Sequence, residues 1–150
     1  MITRLCEVCI TVKDFDAAVK KYSDVLDVKP IFMKAEDVPV PGVKVAIFPI
    51  RDIALSLIGS DQEDSPVAEF LKTKGEGISL INFEVADVRQ TMAALLKKGV
   101  TFISDEPIPY IAGMQNYSLP ESMHGAQICW SQHRPDWDVT ESPRKLWGRP

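Results

Sequence analysis

The sequence predicts an α+β fold of paired βαβββ modules whose sheets curve around a shared cleft. Three observations predict it. The first is an internal repeat: shifted by 73 positions, Val8-Ile10-Val12-Asp14 falls on Ile81-Phe83-Val85-Asp87, with Phe15 on Val88 and Val19 on Met92. The second is that each copy opens on the period-2 alternation of a half-buried strand and passes into apolar residues at helical spacing. The third is size and composition. A chain of 150 residues with 45% apolar and 25% charged content buries enough surface to fold without a disulfide or metal staple.

In order along the chain, the first strand ends at Val12, and Asp14 caps a helix carrying Phe15, Ala18, Val19 and Tyr22 on one face. Strands are expected over about Val28–Lys34, Val43–Pro49 and Ile53–Ile58. Ser65-Pro66 then opens a linking helix, about 65–73, with proline at its first turn and Gly75 closing it. The second copy has its helix at Val88, Met92, Leu95 and Leu96, stopped by Gly99. Strands follow over about Val100–Ser104, Met114–Leu119 and Ala126–Ser131. The modules thus span about 4–60 and 77–132 within a domain of residues 1–132. Residues 133–150 lack periodicity and read as a C-terminal tail, expected to pack across the body or onto a second subunit.

Net charge of -4 argues against nucleic acid or an anionic membrane as the main partner, since phosphate binding begins with a basic patch. The N-terminal charges Arg4, Glu7, Lys13 and Asp14 leave no room for a signal peptide, and no apolar run is long enough to span a bilayer. Three cysteines, an odd number with Cys6 and Cys9 the closest pair, fit a reducing compartment; the expected location is the cytoplasm.

Strand parity sorts the candidate site residues. With Val8, Ile10 and Val12 on one face, Glu7, Cys9 and Thr11 share the other. The same rule groups Leu80, Asn82 and Glu84 opposite Ile81, Phe83 and Val85. It places Ser56 opposite Leu55 and Leu57, and Gln127, Cys129 and Ser131 opposite Ile128 and Trp130. These faces either line a polar-floored pocket or meet bulk water. Tyr110, Tyr117, Trp130 and Trp137 are candidates to stack on a flat ligand, Trp130 being core by parity. The two histidines, His124 and His133, fall in a loop and at the start of the tail and read as surface residues.

The paired modules resemble the vicinal oxygen chelate (glyoxalase/bleomycin resistance/dioxygenase) superfamily, and within it the methylmalonyl-CoA epimerases. The likeness is carried by Val12-Lys13-Asp14 through Tyr22 to Leu26, by Glu63 through Leu71, and by Gly75-Glu76-Gly77-Ile78 leading to Phe83-Glu84-Val85. Lys98-Gly99-Val100 and Asp105-Glu106-Pro107 continue it, so that it covers about residues 4–132. The resemblance implies a divalent metal held by His on the first strand, Gln or Glu on the fourth, His on the fifth and Glu on the eighth. That metal would polarise a carbonyl while a proton leaves the neighbouring carbon. The matching positions here are Glu7, Ser56, Leu80 and Cys129, so the inherited centre is expected to be lost, with no metal and no other cofactor.

Within such a cleft, burial would raise the carboxyls of Glu7 and Glu84 toward the range of a general base. Glu7 is the catalytic candidate; Asn82, Gln127 and Ser131 would orient a carbonyl, and Gln115 and Asn116 would modify the ligand site. Cys9 and Cys129 are read as small lining residues, because no histidine occupies a matching strand position to activate either thiol. The leading function is metal-independent isomerase, epimerase or lyase chemistry beside the carbonyl of an acyl-CoA or small ketone, in a homodimer as the resemblance implies. Two alternatives stay open: a non-catalytic small-molecule binding or resistance protein of the same fold, and a metal-dependent methylmalonyl-CoA epimerase.

Overall fold

The computed structural model describes residues 1–148. Element order is β1 (Ile2–Thr11), α1 (Phe15–Leu26), β2 (Ile31–Phe32), β3 (Val43–Ile50), β4 (Ile53–Ser60) and α2 (Pro66–Lys74). β5 (Gly77–Val85), α3 (Val88–Leu96), β6 (Ile108–Tyr110), β7 (Gly113–Ser118), β8 (Ile128–His133) and α4 (Glu141–Trp147) complete it. The chain is therefore α+β, with βαβββ occurring twice and α2 between the copies. It forms two compact units, one of Val8–Ser79 with the chain from Asp138 onward, the other of Met1–Glu7 with Leu80–Trp137.

In the first of these units the strands run in the order β2-β3-β4-β1. β3 and β4 form a hairpin in register Phe48↔Leu55 and Ala46↔Leu57, turning at Arg51-Asp52. Helix α1 forms where expected: Asp14 accepts a hydrogen bond from Ala17 N at 3.0 Å. The face of α1 bearing Phe15, Ala18, Val19 and Tyr22 covers Val12, Ala46, Phe48 and Leu57. Asp14→Ala should leave a helical N–H unsatisfied and lower stability by about 1 kcal/mol, read as a shifted urea midpoint with unchanged slope.

The tail is not featureless. Asp138 Oδ1 accepts from Thr140 N and Glu141 N at 2.9 and 2.7 Å and so opens α4. At its far end Trp147 Nε1 donates to Asp37 Oδ2 at 2.8 Å.

The second unit runs β1-β5-β8-β7-β6. β5 and β8 are parallel, with Asn82 opposite Cys129 and Glu84 opposite Ser131. β7 and β8 are antiparallel, with Gln115 opposite Ser131, Tyr117 opposite Cys129 and Gly113 opposite His133. One face of this sheet packs Phe83, Val85, Ile128 and Trp130 against Val88 and Met92 of α3. Asp87 caps α3 by accepting from Gln90 N at 2.9 Å. Gly99, at φ 85°, ends that helix: its N–H meets Leu96 O and Val100 N meets Leu95 O, the paired bonds of a left-handed C-terminal cap.

Three expectations need correction. Val28–Lys34 shrinks to the two residues of β2. Val100–Ser104 is no named strand and contributes the single bridge Phe102↔Ser118, whereas Ile108–Tyr110 is a strand despite Pro109. β6 ends the strand order, and an edge position tolerates the N–H that proline lacks. β8 begins and ends two residues later than expected, which brings His133 into the strand.

Candidate active site

The polar face of the second unit is built by strand alternation. β5 supplies Asn82 and Glu84, β8 supplies Cys129, Ser131 and His133, and β7 supplies Gln115 and Tyr117. These groups bond to one another instead of to water. Ser131 Oγ donates to Asn82 Oδ1 at 2.8 Å, Cys129 Sγ lies 3.3 Å from Ser131 Oγ, and the same sulfur meets Gln115 Oε1 at 3.6 Å. Asn82, Gln115, Cys129 and Ser131 are all buried, so for this face the bulk-water reading falls. Tyr110 of β6 adds a buried hydroxyl beside Ser131. By hydrogen-bond geometry the Tyr110 hydroxyl is a buried atom without a partner among the described residues.

A charged group adjoins this face. Glu84 Oε2 accepts from Arg4 Nε at 2.7 Å and lies 3.0 Å from His133 Nδ1. Burial pushes the Glu84 carboxyl up, but the Arg4 hydrogen bond and the nearby His133 outweigh it and hold the carboxyl below 4.5. This reverses the expectation that Glu84 is raised toward neutrality. Burial holds His133 below 6.5 against the opposing pull of Glu84. Burial likewise pushes the Cys129 thiol up to about 12, and the phenol of Tyr110 and the thiol of Cys6 also rise. At neutral pH the face therefore presents neutral thiols, amides, hydroxyls and an imidazole beside the ionised Glu84 carboxylate. The charge of Glu7 reaches it too, acting on Cys129, Cys6, Tyr110 and His133.

These shifts set an acid limit on stability. A histidine depressed below 6.5 contributes stability that is complete above that pH and lost as pH falls toward its folded value. A carboxylate depressed below 4.5 contributes stability that is lost only at lower pH still. The melting temperature should decline from pH 6.5 downward and fall more steeply below 4.5. Replacing His133 with Asn should flatten the first part of that decline.

Of the other expected site residues, Cys9, Thr11 and Ser56 belong to the first unit. There Thr11 Oγ1 donates to Ser79 Oγ at 2.8 Å, Ser79 Oγ reaches Cys9 O at 3.4 Å, and Ser56 is wholly buried on β4. Leu80 is half-buried on β5. Gln127 lies outside β8, one residue before it, and its carbonyl accepts from Ile81 N at 3.2 Å. It does not join the cluster of Asn82, Gln115, Cys129 and Ser131.

Asn116 is corrected from ligand modifier to core. Fully buried, it donates to Ser104 O at 2.8 Å and Met92 Sδ at 3.4 Å, tying the loop before β6 to β7. His133 is the residue that sequence reasoning misplaced. It is a half-buried strand residue whose side chain lies on the same face as Cys129 and Ser131, not a surface histidine of the tail. Continuing the β8 alternation through 133 was the signal that could have found it.

A sequence model of the Glyoxalase/Bleomycin resistance protein/Dioxygenase superfamily matches residues 6–117. The chain belongs to this superfamily. It is 33% identical over 109 residues to an ethylmalonyl-CoA/methylmalonyl-CoA epimerase of Cereibacter sphaeroides, a match covering 71% of this chain and 80% of that one. The crystal structure of methylmalonyl-CoA epimerase from Mycobacterium tuberculosis superposes with a TM-score of 0.76 at 25% identity, covering 89% of this chain and 90% of that one. A variant of the Streptomyces coelicolor methylmalonyl-CoA epimerase, in complex with 2-nitronate-propionyl-CoA, gives a TM-score of 0.72 at 29% identity, covering 87% and 99%.

The residues present do not fit the divalent metal of the glyoxalase superfamily. Leu80 offers no donor atom, and Ser56 is a buried neutral hydroxyl. The Cys129 sulfur is already engaged by Ser131 and Gln115, and it is a soft donor with no second soft ligand beside it at the matching positions. Among the described residues no group of three or more His, Cys, Asp or Glu side chains is placed to hold a metal ion.

Proposed function

We propose that this glyoxalase-superfamily chain is an epimerase-like isomerase that moves a proton at the carbon beside a carbonyl, on an acyl-CoA or small ketone, without a bound metal. The observation that carries the reading is the buried Tyr110 hydroxyl without a partner among the described residues, on the sheet face that also carries the buried amides of Asn82 and Gln115. A buried polar atom without a partner is costly, and a ligand oxygen would satisfy it.

In the reaction, the Glu7 carboxylate takes the proton, and the C–H electron pair forms the C=C bond of an enolate. The carbonyl π pair moves onto oxygen, where Tyr110 and the Asn82 amide donate to the developing charge. Delivery of a proton to the opposite face of the same carbon, as the enolate pair re-forms a C–H bond and the carbonyl is restored, completes epimerisation with no change in oxidation state. Ser131 donates to the Asn82 carbonyl and so fixes that amide on the face. Similarity to epimerases of CoA thioesters supports the acyl-CoA class. Three free buried cysteines support a cytoplasmic setting. No helix among the described residues is long and apolar enough to cross a membrane. We assign the catalytic domain to the chain up to His133, where β8 ends one residue beyond the boundary expected from the sequence, and the residues after it to an extension, in a homodimer.

The test is α-proton exchange from methylmalonyl-CoA into deuterated water, followed by NMR after chelator treatment of the protein, with elemental analysis of the same sample. Exchange by protein holding under ~0.1 equivalent of any divalent metal, and not stabilised thermally by added cobalt, manganese or zinc, supports the proposal. Exchange that appears only with a stoichiometric metal overturns the metal-free part. Absence of exchange from methylmalonyl-CoA, other acyl-CoAs and small ketones overturns the function.

A further inference from the structure

We infer that His133, held by Glu84 and Arg4, is a second proton-transferring group of the site, working through its Nε2. This deepens the isomerase reading and rests on it. His133 sits at the end of β8, two and four residues beyond Ser131 and Cys129, and alternation puts all three on the polar face. Its side chain is only 6% exposed. Nδ1 lies 3.0 Å from Glu84 Oε2, the oxygen that also accepts from Arg4 Nε at 2.7 Å.

A carboxylate already bonded to a guanidinium has no proton to give, so the hydrogen between it and the ring sits on Nδ1. That leaves the lone pair on Nε2. A base whose far nitrogen is oriented by a carboxylate is the general arrangement of an activated imidazole. Arg4 keeps Glu84 ionised; Glu84 keeps the ring in one tautomer and one orientation. Both are positioning residues.

Across the ladder from His133, β7 carries Gly113, which has no side chain to crowd the imidazole. From β6, Tyr110 packs with its ring centroid 6.4 Å from that of His133, at 51°. The charged and titratable groups facing His133 are Glu84 of β5, Arg4 and Glu7 of β1, and Tyr110 of β6. Burial keeps the imidazole neutral at pH 7, the state in which it accepts a proton. Glu7 and His133 then both belong to the unit that carries the polar face.

The decisive variant is His133→Asn, whose amide can keep the bond to Glu84 that Nδ1 makes while lacking a base at the Nε2 position. The expected result is a loss of about 100-fold or more in α-proton exchange from methylmalonyl-CoA, with KM within about 3-fold. The rise of rate with pH below 6.5, set by His133, should vanish in that variant. Glu84→Gln should retain some exchange and displace the same limb to lower pH. Nitrogen NMR of the imidazole gives an independent readout: wild-type protein should show Nδ1 protonated and Nε2 bare at pH 7.

Exchange by His133→Asn within about 3-fold of wild type, with the acidic limb intact, overturns the inference and leaves the isomerase reading standing. An Nε2–H tautomer overturns it as well, whatever the rates. Wild-type protein that exchanges no α-proton overturns the isomerase reading, and the role of His133 with it.

Discussion

Glu7→Gln is expected to reduce α-proton exchange by about 100- to 10,000-fold while leaving the melting temperature within a few degrees of wild type. The magnitude is that of losing a positioned general base. Glutamine matches glutamate in volume and keeps a carbonyl acceptor, so packing around half-buried Glu7 changes little. What it loses is the lone pair that takes the proton and the charge that acts on its neighbours. That charge raises the Cys6 and Cys129 thiols and the Tyr110 phenol, and it opposes the fall of His133. Removing it should let His133 fall further, so any residual activity should keep its plateau to lower pH. A displaced acidic limb would separate loss of a base from simple damage to the fold. Turnover within 3-fold of wild type would remove Glu7 from the chemistry and leave binding as its role.

Most of the fold was legible because local and long-range signals agreed. Asp14, Ser65 and Asp87 all cap the helices that their positions implied, and apolar spacing identified the faces of α1 and α3 that reach the two cores. The faces of Asn82, Cys129 and Ser131 followed from alternation alone. His133 did not, for a definable reason. A period-2 pattern keeps its parity under a two-residue slide, so an early boundary for β8 left every face correct while excluding the last residue.

Pro135 and the charged residues around it made that stretch read as tail, where the ladder in fact continues to Gly113↔His133. Val100–Ser104 alternates like a strand, but its second and fourth residues only skirt β7, through Ile103 N to Tyr117 O and Leu119 N to Thr101 O. Asn116 was misread because a buried amide carries no apolar signal; its partners are backbone oxygens distant in sequence. The charges around Glu84 were equally hidden, since Arg4 lies 80 residues away along the chain.

Gly113→Ala should be the most destabilising single-methyl addition in the molecule, costing about 4 kcal/mol from two sources that add. Gly113 has φ 149°, a backbone conformation that strains an L-residue. A Cβ there would also overlap Gln132 O, and it would sit 3.2 Å from Arg134 N. Both are backbone atoms of the strand end across the ladder, so no rotamer change can relieve the contact. The strands must part instead, near the Arg134 N to Ala112 O bond of 2.8 Å and the pair Gly113↔His133.

Gly99→Ala supplies the control. Its φ of 85° strains an alanine similarly, but nothing lies within 4 Å of the added carbon, so the cost should stay near 1 kcal/mol. Urea unfolding separates the two effects, and the site reports on the first. Because the displaced strand end carries His133, Gly113→Ala protein that remains folded should lose the 3.0 Å contact between His133 Nδ1 and Glu84. A cost for Gly113→Ala no larger than for Gly99→Ala would mean that β7 and β8 do not approach as closely at this rung as their register requires.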